Sequence, residues 1–280
     1  MKKILIGITA GIIILSLSSC SDDQYLLEKK YYSAQKQAGR IFTNPKASPP
    51  NELLRVTDVF QAFIQKYPQT NLAVEAEFTI ANLYTAKEEY EKAREQLKRI
   101  ITAYKEFPDI SVEAAFLIGN SYEKEDKWPL ALEAYKKILH DYPKTRRSLT
   151  VPLYIARYYK KKFQPDKMLA AYKEAINHYT QLTQMYPQTL LAYAAYNLRA
   201  RSYITTKNWQ EAIDTFITVR EKFKSKVRMD GVLLNMASIY YEELKDYAKA
   251  KEALTTLIKD YPQSRLLRFA KKLLEEINKK

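Results

Sequence analysis

The apolar positions of this chain recur at fixed offsets. A small residue stands three positions before a tyrosine at Ala81/Tyr84, Gly119/Tyr122, Ala156/Tyr159, Ala200/Tyr203 and Ser238/Tyr241. Six positions after that tyrosine an aromatic follows in four of these places, as Tyr90, Trp128, Trp209 and Tyr247. Nine positions after it comes Ala93, Ala131, Met168, Ala212 or Ala250, and four further on Leu97, Tyr135, Tyr172, Phe216 or Leu254. Small residues let two helices approach closely, and large ones fill the space between them. Several offsets kept in register predict pairs of packed helices.

Polar punctuation separates the pairs. Tyr67-Pro68-Gln69-Thr70, Tyr142-Pro143-Lys144-Thr145, Tyr186-Pro187-Gln188-Thr189 and Tyr261-Pro262-Gln263-Ser264 are four copies of one tetrapeptide. Phe107-Pro108 is a degenerate copy, and Phe223-Lys224-Ser225 fills the remaining slot without its proline. Proline disfavours helix in the residue before it and cannot continue one, while Thr or Ser two residues on can cap the next helix. The marks lie 35 to 44 residues apart, the range of helical-pair repeats.

These residues resemble the tetratricopeptide pattern of small-x2-Tyr, then Ala-x3-Phe, then Pro. Copies depart from it early in the first helix, where the expected tryptophan is Glu77, Ala115, Pro152, Tyr196 or Leu234. The third copy has Phe163-Gln164-Pro165 in its turn and extra residues before Tyr186, which predicts a longer second helix over about 167–186. Upstream, Tyr25 to Phe42 reads as a helix, 43–50 as a loop and Asn51 to Tyr67 as a second helix. The expectation is an all-α, tetratricopeptide-type solenoid of about six helix pairs. It comprises a divergent first pair over 25–67, repeats over 69–261 and a capping helix within 263–280, in one continuous superhelix.

The first twenty residues follow different rules. Lys2 and Lys3 precede an apolar run from Ile4 to Leu17, which is short for a membrane span but suits the core of a secretory signal. It ends in Leu17-Ser18-Ser19-Cys20, and Cys20 is the only cysteine among 280 residues. This ending resembles the lipobox of bacterial lipoproteins. The resemblance implies cleavage before Cys20, acylation of its thiol, and a short tether over 21–24. In enteric bacteria Asp directly after the lipidated cysteine favours inner-membrane retention. Ser21 stands there, so the expected location is the periplasmic face of the outer membrane.

Composition narrows the function. Export without a second cysteine leaves no internal disulfide, so stability rests on packing. The formal charge is +14, or +12 once Lys2 and Lys3 are removed. A basic balance suits nucleic acid, anionic membranes or acidic proteins, and export argues against nucleic acid. Five glycines, two of them in the leader, argue against hairpin-rich β-structure and phosphate-binding loops. His140 and His178 are the only histidines, and neither has a His or Cys neighbour at metal-ligand spacing. Adjacent carboxylates such as Glu88-Glu89 point in different directions on a helix. No motif for a metal, cofactor, nucleotide or catalytic serine is present, so the chain reads as a non-enzymatic binding protein with no metal or cofactor.

In tetratricopeptide arrays the first helix of each pair lines an inner groove where peptides lie. Transfer by offset gives Phe78 and Asn82, Phe116 and Asn120, Leu153, Arg157 and Lys160, and Asn197 and Arg201 as groove positions. Asn and Arg can bond a peptide backbone or a carboxylate, which predicts an extended, acidic protein partner. A lipobox with such an array resembles the BamD-like outer-membrane assembly lipoproteins. That resemblance implies help in inserting β-barrel proteins. Accessory lipoproteins of pili or secretins, and coordinators of wall synthesis with envelope constriction, share the same features.

Overall fold

In the computed structural model of the chain, residues 13–68 and 70–279 are described, with side chains from Tyr25 onward. Residues 1–12 of the expected signal and the Cys20 side chain lie outside what is described.

Among the described residues there are thirteen α-helices and no strand. The first compact unit, Met1–Asp141, holds α1 (Ile13–Thr43), α2 (Pro50–Lys66), α3 (Asn71–Ala86), α4 (Tyr90–Ala103), α5 (Pro108–Lys124) and α6 (Trp128–Asp141). The second, Tyr142–Lys280, holds α7 (Arg146–Lys161), α8 (Pro165–Met185), α9 (Leu190–Thr205), α10 (Trp209–Phe223), α11 (Asp230–Ser238), α12 (Tyr247–Asp260) and α13 (Leu267–Asn278). Within each unit every helix packs on its chain neighbour, so the architecture is six consecutive helical hairpins followed by a single helix. The long second helix expected in the third repeat is α8, and the capping helix is α13.

The tetrapeptide acts as its chemistry predicts. Thr70, Thr145 and Thr189 are N-caps, accepting from the amides of Ala73, Ser148 and Ala192 at 3.2, 3.3 and 3.1 Å. Each hydroxyl also donates to the carbonyl of the tyrosine three residues back, at 2.9, 3.0 and 2.7 Å. One hydroxyl thus joins the end of one helix to the start of the next. The fourth copy differs: Ser264 Oγ donates to Asp230 Oδ2 at 2.6 Å, and α13 begins only at Leu267.

The turns inside the hairpins share one geometry. The amides of Glu89, Lys127, Gln164 and Asn208 each donate to the carbonyl of the repeat tyrosine five residues back, at 2.8 to 3.0 Å. This is the Schellman helix ending, whose penultimate residue is left-handed and usually glycine. Here those residues are Glu88, Asp126, Phe163 and Lys207, with φ of 62°, 55°, 55° and 61°. Few glycines therefore do not mean few tight turns in this chain. Lys245 takes the same place after α11 (φ 55°), but the π-helical turn Ile239–Glu243 shifts the bond, so Asp246 donates to Tyr240 at 2.8 Å. Five second helices then start at tyrosine plus six: Tyr90, Trp128, Pro165, Trp209 and Tyr247.

The core follows the small-and-large pattern. Ala81, Ala93, Ala131, Ala156, Ala200, Ala212 and Ala250 are buried, with Leu97, Tyr135, Phe216 and Leu254 beside them. In α8 the buried small residues are Ala171 and Ala175, while Met168 is half-buried. The extra residues of that helix move its packing face. Gly119 is required by its neighbour, because a Cβ there would overlap the Tyr135 ring.

Candidate functional site

The second unit carries a basic concavity between α7 and α9. Thr150, Leu153, Arg157 and Lys160 stand at i, i+3, i+7 and i+10 of α7, one helical face. Leu198, Arg201 and Thr205 form the corresponding face of α9. Tyr172 of α8, itself buried, also lines the space. Together they bound about 350 Å³.

The lining is chemically one-sided. Three cations, Arg157, Lys160 and Arg201, face the space, and no carboxylate lines it. All three are exposed, and Leu153 and Leu198 supply apolar surface beside them. The hydroxyls of Thr150 and Thr205 donate at 2.9 Å to the carbonyls of Arg147 and Arg201, so each oxygen retains acceptor capacity. Deeper in the unit Tyr179 donates to the Leu149 carbonyl at 2.8 Å. Burial raises its hydroxyl above the ordinary phenol range, with the nearby Arg157 charge opposing the rise. Among the described residues no three His, Cys, Asp or Glu side chains are grouped to hold a metal ion, and no helix is long and apolar enough to cross a membrane.

Four of the nine residues expected in a groove, Leu153, Arg157, Lys160 and Arg201, therefore meet in this space. Asn197 does not line it; its amide nitrogen donates back to the Tyr193 carbonyl at 2.7 Å. In the first unit the expected positions are differently employed. Phe78 is half-buried against the cluster of Leu97 and Ile100, and Asn82 is exposed. Phe116 is buried, its ring centroid 5.2 Å from that of Tyr135, and so belongs to the core. Asn120 Oδ1 and Glu123 Oε2 share the single hydrogen of the Tyr135 hydroxyl, each 3.1 Å from its oxygen. Two carboxylates of this unit are already bonded: Glu125 pairs with Arg94, and Glu77 accepts from Gln96. Sequence reasoning missed Thr150, Leu198, Thr205 and Tyr172 as lining. Extending the α7 face two turns back from Arg157, and the α9 face one turn each way from Arg201, would have found the first three.

Comparison with known proteins bears on this build. Two stretches, 113–145 and 232–264, match one tetratricopeptide repeat model, and 171–219 match another. These stretches are similar to tetratricopeptide repeats. The last stretch runs from within α8 through α9 into α10, so Tyr172, Leu198, Arg201 and Thr205 of the concavity fall in sequence that matches a repeat model. The models matched are both repeat models. No curated protein matches the chain. Similar solved structures include BtubC from P. vanneervenii, at 16% identity over 90% of this chain and 92% of that one, with a TM-score of 0.41. A tetratricopeptide repeat protein from Parabacteroides merdae is 13% identical over 89% of this chain and 99% of its own, with a TM-score of 0.35. A thermophilic repeat protein from Thermus thermophilus is 12% identical over 86% and 98%, with a TM-score of 0.34.

Proposed function

We propose that this chain is a non-enzymatic, lipid-anchored binding scaffold of the bacterial envelope, whose basic concavity takes an extended acidic segment of a partner protein. One observation carries the binding part of the reading: three cations from successive first helices line one space with no carboxylate among them. Guanidinium groups there can grip carboxylates in two-point hydrogen bonds, while Leu153 and Leu198 receive the apolar parts of the segment. Tetratricopeptide repeats support a protein-binding role in general. The lipobox and the YPx[TS] punctuation support the finer reading, a BamD-like lipoprotein on the periplasmic face of the outer membrane that assists β-barrel insertion. Depletion that left β-barrel proteins normally inserted would remove that finer reading and favour a secretin, pilus or wall-synthesis partner.

The binding reading has a direct test. Fluorescence anisotropy of a labelled, glutamate-rich extended peptide should report binding to the full chain that weakens as salt rises. Arg157→Glu with Arg201→Glu should weaken it at least about tenfold, since each lost charge-assisted bond contributes about 1.5–3 kcal/mol. Both residues are exposed, so the circular dichroism spectrum should not change. Unaltered affinity in the double variant would refute the assignment.

A further inference from the structure

The turn between α7 and α8 departs from its four counterparts in two independent ways. Its tip is Phe163, which is 92% exposed, whereas the other left-handed tips are Glu88, Asp126, Lys207 and Lys245. A bulky side chain is a poor occupant of left-handed backbone, and full exposure recovers none of its apolar surface. Such a residue persists without a packing reason, which points to use outside the fold.

Charge sets the same turn apart. The eight residues after the repeat tyrosine, 160–167, carry four lysines and one acidic residue, Asp166. The equivalent eight in 85–92, 123–130 and 242–249 each carry two lysines and three acidic residues, and 204–211 carry one of each. Among the described residues no carboxylate pairs with Lys160, Lys161 or Lys162; Lys162 lies over the Tyr158 ring at 5.7 Å, and Lys167 over Tyr159 at 6.0 Å.

We infer that the α7–α8 turn is a contact for an anionic phospholipid surface. Phe163 enters the headgroup region while Lys161, Lys162 and Lys167 stay at the level of the lipid phosphates. A tip this exposed offers a protein partner no concavity, but a fluid bilayer needs none. The contact is separate from the basic concavity, which shares only Lys160 with this turn.

The test uses the full chain carrying Cys20→Ser, so that one introduced cysteine takes an environment-sensitive dye. With dye on Phe163→Cys, vesicles of phosphatidylcholine containing about a third phosphatidylglycerol should raise emission about two- to threefold, and pure phosphatidylcholine should not. Adding Lys161→Glu and Lys162→Glu should raise the lipid concentration for half-response at least about tenfold, at about fivefold or more per charge. Lys160 is left intact, so peptide capture by the concavity should persist in that variant and the two readings fail separately. The same dye on Glu88→Cys controls for the chain being held near the bilayer by its leader. Equal responses at both positions, a response to neutral vesicles or to inorganic phosphate alone, or indifference to the lysine reversals would overturn the inference. A dye at 163 that ignores vesicles yet responds to the glutamate-rich peptide would also overturn it and assign the turn to a protein.

Discussion

At the scale of single residues, two side chains expose how little slack the packing has. Gly119 lets the Tyr135 ring lie against α5 and its hydroxyl reach Asn120 and Glu123. Gly119→Ala should lower stability by about 1–3 kcal/mol, the usual cost of overpacking, as read by urea unfolding. An unchanged midpoint would mean that Tyr135 can swing aside freely. The second residue is His178, whose Nε2 is buried with no hydrogen-bond partner. Burial holds its pKa below the ordinary value of 6.5. Above that pH both folded and unfolded chains are neutral at this ring. As pH falls through 6.5 the unfolded chain binds a proton that the folded ring refuses, so stability is lost until the depressed folded value is passed. The slope from this one group is at most about 1.4 kcal/mol per pH unit. Comparing urea midpoints at pH 7.5 and 5.5, His178→Asn should show a shallower loss than the parent. Carboxylates held below their ordinary values, such as Glu125, titrate at lower pH. Glu77, raised by burial, acts in the opposite direction but equally in parent and variant, so the difference between them reads His178 alone.

At the scale of elements, the threonine cap governs where the first helices start. Thr189→Ala should remove about 1 kcal/mol and speed amide exchange in the first turn of α9, the helix that carries Arg201. Protection equal to the parent would mean that packing alone fixes that helix start. The caps, the hairpins and the lengthened α8 were legible in the sequence because each rests on local chemistry: proline, a hydroxyl, a repeated offset. The left-handed turns were not, since their usual marker is glycine and this chain places Glu, Asp, Phe and Lys there. The site was half legible for a similar reason. Offsets place Arg157 and Arg201 on matching faces of α7 and α9, and the fold brings them together. In the first unit the same offsets reach Phe116 and Asn120, but a tyrosine at 135 opposite a glycine at 119 claims both. That coupling lies between two helices and leaves no mark in either one alone.

At the scale of the whole molecule, attachment and folding should separate. Cys20→Ala should shift the chain from the membrane to the soluble fraction of cell lysates while its circular dichroism stays the same. Acyl chains contribute about 0.8 kcal/mol per buried methylene, and the buried residues described in the first unit begin at Tyr31. A variant still held fully on membranes would show that its leader or surface suffices. The left-handed hairpin tips add a different kind of separation. Each tip places a full side chain outside the packed layers, where no neighbouring helix constrains its identity. Stability is thus set by one group of positions, the small residues and tyrosines. Surface affinity can be rewritten at another, one turn at a time. A lineage carrying this architecture could change what it touches by single substitutions without first solving a folding problem.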